Sequence, residues 1–270
     1  MQKRDGTHGY LASDLAAIKY RVQNWKPERI LYFVDVRQQL HFTQAFTIAK
    51  LAGWIGQHHE IYHAYNGFVT LKEGAMSTRK GNIIKLDALL DEARERAEKI
   101  ILEKREDIQG DTLKELSEII GIGAIKYGYL KKSRESDVIF DWDEFMSFEG
   151  NSGPYIQYSY VRAKKILQKI EIRDYENIQI SQKEEKELLS HLITFPQVIL
   201  SMQDGYHAHV LCQYVYDASK LFSSLYSNVA IIQEEDIEKK NARIALLEMY
   251  CIIIETAFQD ILAIPLAQEM

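Results

Sequence analysis

A run of nine residues, Gly74 to Asn82, has a composition that suits phosphate binding. It reads Gly-Ala-Met-Ser-Thr-Arg-Lys-Gly-Asn, in which two hydroxyl residues precede two adjacent cations and a glycine. Fixed positive charge on a mobile loop can stabilise polyphosphate oxygens that gain charge in a transition state. The same composition also suits a solvated basic turn, and composition alone leaves both interpretations open.

A second run, from Gly153 to Arg162, combines a helix start with tyrosines. It reads Gly-Pro-Tyr-Ile-Gln-Tyr-Ser-Tyr-Val-Arg, and proline suits the first turn of a helix. Tyr155 and Tyr158 are three residues apart and so share one helix face. Single-stranded bases are read by stacking and by edge hydrogen bonds, and tyrosine provides both. The alternative is a tyrosine-rich helix that belongs to the core or to an interface.

The elements around the first run predict part of an α/β sheet. A buried parallel strand is predicted for Arg29 to Val36, and weaker strands for Glu60 to Tyr65 and Phe68 to Leu71. Asn66-Gly67 between the weaker strands is a dipeptide typical of hairpins. A first helix is predicted to begin at a Ser13 or Asp14 cap. A second helix, over HFTQAFTIAKLAG, is predicted to end at Gly53.

After Asp87, a credible helix cap, apolar residues recur at three and four residues and strand signals largely disappear. Further helices are predicted at about 112–131, 154–171, 182–203, 206–230 and 239–262. The predicted fold class is therefore α/β followed by all-α.

Composition excludes several classes of protein. The chain has 270 residues, 46% hydrophobic and 27% charged, which excludes disordered and collagenous proteins. A membrane helix needs about eighteen consecutive apolar residues, and no run in the sequence is nearly that long. No secretory signal is recognisable either. We therefore expect a cytoplasmic protein without membrane contact. Cys212 and Cys251 lie far apart and predict neither a disulfide framework nor a metal site.

Segments along the whole chain resemble, in order, the arginyl-tRNA synthetases, a family of class I aminoacyl-tRNA synthetases. Met76 to Asn82 is similar to their KMSKS loop. The other similar segments are DGTHGYLASDLAAIKYR, VDVRQQLHFTQAF, LLDEARERA, IGIGAIKYGYLKKSRESDVIFDWDEFMSFEGNSGPYIQYSYVR and ARIALLEM. The resemblance implies the carboxyl-terminal half of a Rossmann-type catalytic domain followed by a helical anticodon-binding bundle of the DALR type.

The resemblance also assigns an amino-acid pocket. Tyr10, Asp14 and Gln38 match positions that bind arginine in this family, with Asp14 as the charge partner of the guanidinium. A guanidinium presents five donors in a plane, which carboxylate, amide and phenolic oxygens can read. Without the resemblance, the residues alone favour a helix cap for Asp14, an edge residue of the core for Tyr10 and a loop amide for Gln38, and the resemblance reverses that preference.

Nucleotide contacts are implied in the same way. His41, Phe68 and Val69 match positions close to ATP or the adenylate. The implied catalytic residues of the loop are Met76, Ser77, Thr78, Arg79 and Lys80. Ala75 and Thr78 stand where the family's loop carries lysines, so the cation that meets the phosphates is undetermined. None of the eight histidines lies in a His-x-Gly-His motif, the family's second ATP-binding signature, which indicates that only the carboxyl-terminal half is present.

Anticodon contacts are implied for five residues of the helical part: Tyr155, Tyr158, Arg162, Tyr226 and Met270. The formal net charge of −6 opposes an extended phosphate-binding surface, and residues 151–270 hold 11 basic against 16 acidic residues. Binding of tRNA must then rely on stacking and on a local patch. That predicted patch consists of Arg162, Lys164, Lys165 and Lys169.

Three domains are predicted: residues 1–92 as the second half of the catalytic domain, 93–150 as a helical connector, and 151–270 as the anticodon-binding domain. The implied function is ATP-dependent activation of arginine and its transfer to tRNA(Arg), with Mg²⁺ accompanying ATP, no resident metal and a monomeric state. The chain alone is not expected to catalyse the reaction. The alternatives are a non-catalytic anticodon-binding fragment or paralogue, and a generic nucleotide-binding α/β protein.

Overall fold

The computed structural model describes residues 4, 6–71, 74–75, 85–105, 107–170, 175, 177–203 and 205–270. The chain divides into two compact units. The first unit comprises Met1–Phe68 and Arg134–Asp137, and the second unit comprises Val69–Ser133 and Val138–Met270. The predicted catalytic residues Met76 to Lys80 lie outside the described residues.

The first unit contains two helices and a short parallel sheet. In chain order these are α1 (Tyr10–Trp25), β1 (Arg29–Tyr32), α2 (Gln39–Leu51) and β2 (Glu60–His63). The strands pair in parallel with Arg29 opposite Glu60 and Tyr32 opposite His63, which confirms the predicted parallel strand. A small core joins helices and strands, formed by Leu15, Ile18, Val22, Ile30, Ala45, Ala49 and Ile55.

The predicted caps of the first helix are wrong. The helix begins at Tyr10 with Gly9 as its cap, so Ser13 and Asp14 lie inside its first two turns. A side chain inside a helix no longer serves the free amides of the helix start, and Asp14 is available for a tertiary contact. The predicted stop of α2 is confirmed, because Gly53 follows the helix with a positive φ of 69°.

The hairpin suggested by Asn66-Gly67 does not form. The strands on either side of the dipeptide belong to different sheets: β2 pairs with β1, whereas β3 (Val69–Leu71) belongs to a three-stranded sheet. Glycine is needed at position 67 for space, since a Cβ there would lie 2.4 Å from the carbonyl oxygen of Ser136. The Gly67 amide donates to the carbonyl of Arg134 at 2.9 Å, so the dipeptide makes a close backbone crossing.

The second unit begins with a three-stranded sheet. Its strands are β3 (Val69–Leu71), β4 (Gly74–Ala75) and β5 (Val138–Phe140), and β3 is antiparallel to β4 and parallel to β5. The sequence did not predict β5. Three residues are too few to show the alternation of a strand, and Ile139 is exposed between the buried Val138 and Phe140.

The rest of the second unit is helical. The predicted helix over 182–203 is two helices, because Pro196 cannot occupy a helix interior and instead lies in the first turn of the second helix. The helices are α3 (Leu86–Lys104), α4 (Gly110–Leu130), α5 (Trp142–Phe145), α6 (Gly153–Leu167), α7 (Lys183–Leu192), α8 (Phe195–Gln203), α9 (Ala208–Asn228) and α10 (Ile237–Glu255), followed by a π-helical turn (Thr256–Ile261).

A buried arginine links three parts of the helical bundle. The Arg243 side chain on α10 is 2% exposed, and its Nε donates to Glu185 Oε1 at 2.6 Å. Its Nη1 donates to Glu234 and to the carbonyl of Ala230. Glu185 Oε2 also accepts from the amides of Ser181 and Gln182 at the start of α7.

Glu185 remains charged in this setting. Burial by itself would raise the pKa of its carboxyl, but the hydrogen bonds from Arg243 and from the two backbone amides outweigh burial and hold the pKa below its ordinary value. A buried carboxylate is tolerated only while its hydrogen-bond donors are present, so loss of the cationic donor destabilises the fold.

We predict that Arg243→Met destabilises the second unit by about 3–5 kcal/mol, because it leaves the Glu185 carboxylate buried without its cation. Urea unfolding followed by far-ultraviolet circular dichroism measures the loss. The control is Lys183→Met, which removes the exposed ion pair with Glu187 on α7 and should cost less than about 0.5 kcal/mol. Equal losses for the two variants would contradict the prediction.

Candidate functional site

A groove on the second unit brings together four of the five residues predicted to contact an anticodon. The cavity has a volume of about 310 Å³. We call it the tyrosine groove, and it is lined by Tyr158, Val161, Arg162, Lys165, Ile166, Lys169, Tyr226 and Met270.

Local sequence explains how α6 supplies one wall of this groove. The Ser152 hydroxyl accepts from the Tyr155 amide at 3.3 Å and Pro154 occupies the first turn, so the helix starts where the sequence predicted. Ile156 and Tyr160 are buried in the core on one side of α6. The groove residues Tyr158, Arg162, Lys165 and Lys169 follow at three and four residues, which places them on a common face.

Arg162 lies against two aromatic rings. Its guanidinium carbon is 4.5 Å from the centroid of the Tyr158 ring and 4.6 Å from that of Tyr226 on α9. Arg162 also donates a hydrogen bond to the Tyr158 hydroxyl. The two tyrosines stay 40% and 43% exposed, so aromatic and cationic surface faces solvent together. This arrangement can stack a base and place a positive charge next to it.

The end of the chain forms another part of the tyrosine groove. Lys165 Nζ donates to the carbonyl oxygen of Met270 at 3.0 Å, which holds the last residue beside α6. Lys164 belongs to a different surface, because it forms an ion pair with Glu255 at 2.8 Å. Of the predicted basic patch, three cations therefore line the groove.

Tyr155 does not line the tyrosine groove. It is half-buried against the core, its hydroxyl is 3.2 Å from Ser223 Oγ, and its ring contacts the Tyr216 ring edge-on at 5.9 Å. The sequence missed a neighbouring cavity of about 490 Å³, which shares Ile166, Lys169 and Tyr226 with the groove and continues along residues 227–233. In the sequence, this second cavity could have been recognised only from the polar pair Ser227-Asn228 at the end of α9.

Two predicted site residues of the first unit contact each other. Asp14 Oδ2 on α1 lies 2.6 Å from His41 Nε2 in the first turn of α2, and both side chains are partly exposed. Tyr10 stands one turn before Asp14 on α1 and is 88% exposed. Gln38 lies immediately before α2 and is exposed. The proximity of Asp14 and His41 had no signal in the sequence, because the pair joins two helices.

Two arginines of the first unit donate to partners other than Asp14. Arg21 Nη1 donates to the Tyr32 hydroxyl at 2.7 Å. Burial raises the pKa of Tyr32, and Arg21 offsets part of that effect. Arg37 donates twice to Asp35, at 2.9 and 2.8 Å, and these hydrogen bonds hold the pKa of Asp35 below its ordinary value.

Two of the residues predicted to lie close to ATP, Phe68 and Val69, fall in different units. The half-buried Phe68 ring lies under Arg37, whose guanidinium carbon is 4.6 Å from the ring centroid, and its amide donates to Asp137 Oδ1 at 2.7 Å. Val69 begins β3 and packs against the apolar cluster around Leu89.

Among the described residues, no three histidine, cysteine or acidic side chains are grouped as metal ligands. No helix in the same ranges has the length and apolar composition needed to cross a membrane. Cys212 and Cys251 are buried free thiols, and burial raises the pKa of each to about 12, so both remain protonated near neutrality.

Two family models match the chain. The model described as tRNA synthetases class I (R), catalytic domain, matches residues 1–142, and the model of the DALR anticodon binding domain matches residues 156–270. These matches confirm the predicted fold class, an α/β catalytic part followed by a helical bundle.

Curated relatives named arginine–tRNA ligase align over the whole chain. The relative from Fusobacterium nucleatum is 36% identical and that from Edwardsiella ictaluri is 39% identical, and the chain spans 48% and 47% of their lengths. The chain therefore spans about half the length of these relatives.

Two solved structures of arginyl-tRNA synthetases also match the whole of this chain and about half of their own length. The crystal structure of arginyl-tRNA synthetase from Plasmodium falciparum matches all of this chain and 46% of its own, with a TM-score of 0.85 at 27% identity. The Thermus thermophilus arginyl-tRNA synthetase shares the fold, with a TM-score of 0.87 at 24% identity over 50% of its length. On the family models and these relatives, the chain belongs to the arginyl-tRNA synthetase family of class I.

Proposed function

We propose that this chain is the part of an arginine–tRNA ligase that binds the anticodon loop of tRNA(Arg) and contributes to the arginine pocket. In the complete reaction, ATP activates arginine as an adenylate, and the arginyl group passes to the tRNA. The observation that carries the proposal is the tyrosine groove, where Tyr158, Arg162, Tyr226 and Met270 meet. We also propose that the protein is cytoplasmic and monomeric.

The tyrosine groove has the chemistry to bind an unstacked base. Tyr158 and Tyr226 offer ring faces, and Arg162, Lys165 and Lys169 offer positive charge for the flanking phosphates. Such a site works in a chain of net charge −6, because the contacts are local and short. Tyr155 remains a predicted contact at the start of the same helix.

The proposed arginine contacts are Asp14, Tyr10 and Gln38. Asp14 is the anionic partner of the substrate guanidinium, and the phenol and amide offer oxygen acceptors to its remaining donors. Tyr10 and Gln38 are exposed and therefore accessible to a ligand. A lysine substrate would leave acceptors unpaired, which is the proposed basis of selectivity.

Residues Met76 to Lys80 are proposed to hold the ATP phosphates, with His41, Phe68 and Val69 near the nucleotide. In-line displacement at the α-phosphate needs positioning and charge stabilisation, and Ser77, Arg79 and Lys80 are groups of that kind. Mg²⁺ would accompany ATP and screen its phosphates. Mg²⁺ on nucleotides is held mainly by phosphates and water.

A second candidate function is anticodon binding without catalysis. It is favoured by the sequence itself, in which the groove residues occur but His-x-Gly-His does not. Neither candidate predicts catalysis by the chain alone, so pyrophosphate exchange into ATP is measured with arginine after the chain is joined to the half of a relative that carries His-x-Gly-His: exchange supports the first candidate, and its absence together with tRNA binding supports the second.

We predict that Arg162→Met weakens binding of a tRNA(Arg) anticodon stem-loop by about 1–3 kcal/mol, because a cation beside the bound base is lost. Fluorescence anisotropy at two salt concentrations measures this, and we expect steep salt dependence. The control is Lys220→Met on α9, which removes the same charge from a cation over the Tyr216 ring outside the groove. Equal weakening by both variants would attribute binding to overall charge and overturn the groove assignment.

We predict that Asp14→Asn weakens arginine binding at least about tenfold, because the substrate loses a charge-assisted hydrogen bond. Titration of arginine into the chain, followed by nuclear magnetic resonance, measures affinities down to the millimolar range. Glu60→Gln serves as the control, since it removes a carboxylate of the first unit that pairs with Arg29. Wild-type affinity in Asp14→Asn would refute the pocket assignment.

A further inference from the structure

We infer that His41 is a positioning residue that fixes the Asp14 carboxylate for a planar guanidinium and thereby sets selectivity for arginine over lysine. This inference rests on the proposed arginine site and assigns His41 a role different from the nucleotide contact that the resemblance implied.

The geometry supports a directional hydrogen bond. His41 Nε2 and Asp14 Oδ2 are 2.6 Å apart. Since an ionised carboxylate only accepts, the imidazole hydrogen of this bond is on Nε2. The bond uses Oδ2, so in the proposed site Oδ1 is the oxygen that accepts from the guanidinium. The terminal torsion of aspartate is broad, so a bond to one oxygen also restricts the plane of the carboxylate.

His41 itself is held in place by its surroundings. It lies in the first turn of α2, and its ring contacts the buried Phe42 ring edge-on, with centroids 5.2 Å apart. The Phe42 ring in turn packs against the rings of Tyr32 and Phe46, with centroids 4.8 and 5.7 Å apart, respectively. A donor on a packed helix turn positions its acceptor more precisely than a donor on a loop would.

Two arginines of the first unit have partners other than Asp14. Arg21 stands two turns further along α1, where it donates to the Tyr32 hydroxyl at 2.7 Å and its guanidinium carbon lies 5.4 Å from the Tyr32 ring. Arg37 is bound by Asp35. Histidine can hold a carboxylate while neutral, so Asp14 can keep its negative charge for a cationic ligand.

Positioning matters more for arginine than for lysine. A guanidinium binds through a fixed planar fork and needs the carboxylate plane aligned, whereas an ammonium is a compact charge that accepts many directions. Loss of His41 should therefore reduce arginine affinity more than lysine affinity. Loss of folded protein would reduce both affinities by the same factor.

The experiment compares the dissociation constants of arginine and lysine by nuclear magnetic resonance titration of the full chain. For His41→Leu we expect arginine affinity to fall about tenfold and the lysine-to-arginine ratio of dissociation constants to fall at least about fivefold. His41→Gln, whose amide can donate to Asp14, should restore the ratio to within about threefold of wild type. His41→Asn has the same amide on a shorter side chain and should not restore it, which keeps the test valid if His41→Leu does not fold.

His63→Leu is the matched control. His63 packs against the same Phe42 ring at 4.8 Å but bonds the carbonyl of Val34 at 3.0 Å, so its loss should leave the ratio unchanged. An unchanged ratio in His41→Leu and His41→Asn, with arginine still bound, would overturn the positioning role alone. Wild-type chain that binds no arginine, or Asp14→Asn that binds it normally, would overturn the arginine site and this inference with it.

Discussion

The buried guanidinium of Arg243 is the interaction on which the helical unit most depends. It connects α10 with Glu185 at the start of α7 and with the segment from Ala230 to Glu234. Desolvation opposes a charge in this position, yet the hydrogen bonds that Arg243 donates to two carboxylates outweigh it and keep the pKa of Arg243 above its ordinary value. The segment that it holds directly follows α9, which carries Tyr226, so the same interaction supports one side of the tyrosine groove.

The two proposed binding regions use charge in different ways. In the tyrosine groove, Arg162 lies between aromatic rings and remains accessible, so its charge can act on a ligand. In the first unit, the proposed charge is the Asp14 carboxylate, and two arginines of that unit are held by Tyr32 and Asp35. Neither arrangement depends on the net charge of the chain, which explains how an acidic protein can suit an anionic ligand and a cationic one.

Much of the fold could be predicted from periodicity. The parallel strand at β1 and most helices were correct, because a buried strand and an amphipathic helix both repeat their apolar residues within a single segment. The errors arose where tertiary contacts decided the outcome. Asn66-Gly67 has turn chemistry but serves a close crossing with Ser136, and β5 exists because β3 offers it a parallel partner. The three residues of β5 are too few to show the alternation of apolar and polar residues that identifies a strand.

For the site, the sequence by itself determined which residue types could act and which of them share a helix face, as for Tyr158 and Arg162. Resemblance to a family nominated Tyr226 and Met270, but only the tertiary structure brings them into one cavity with α6 while leaving Tyr155 in the core. The contact between Asp14 and His41 is likewise a product of packing α1 against α2. Helical period relates residues within an element, whereas distances between elements depend on how their apolar faces pack, which no local pattern encodes.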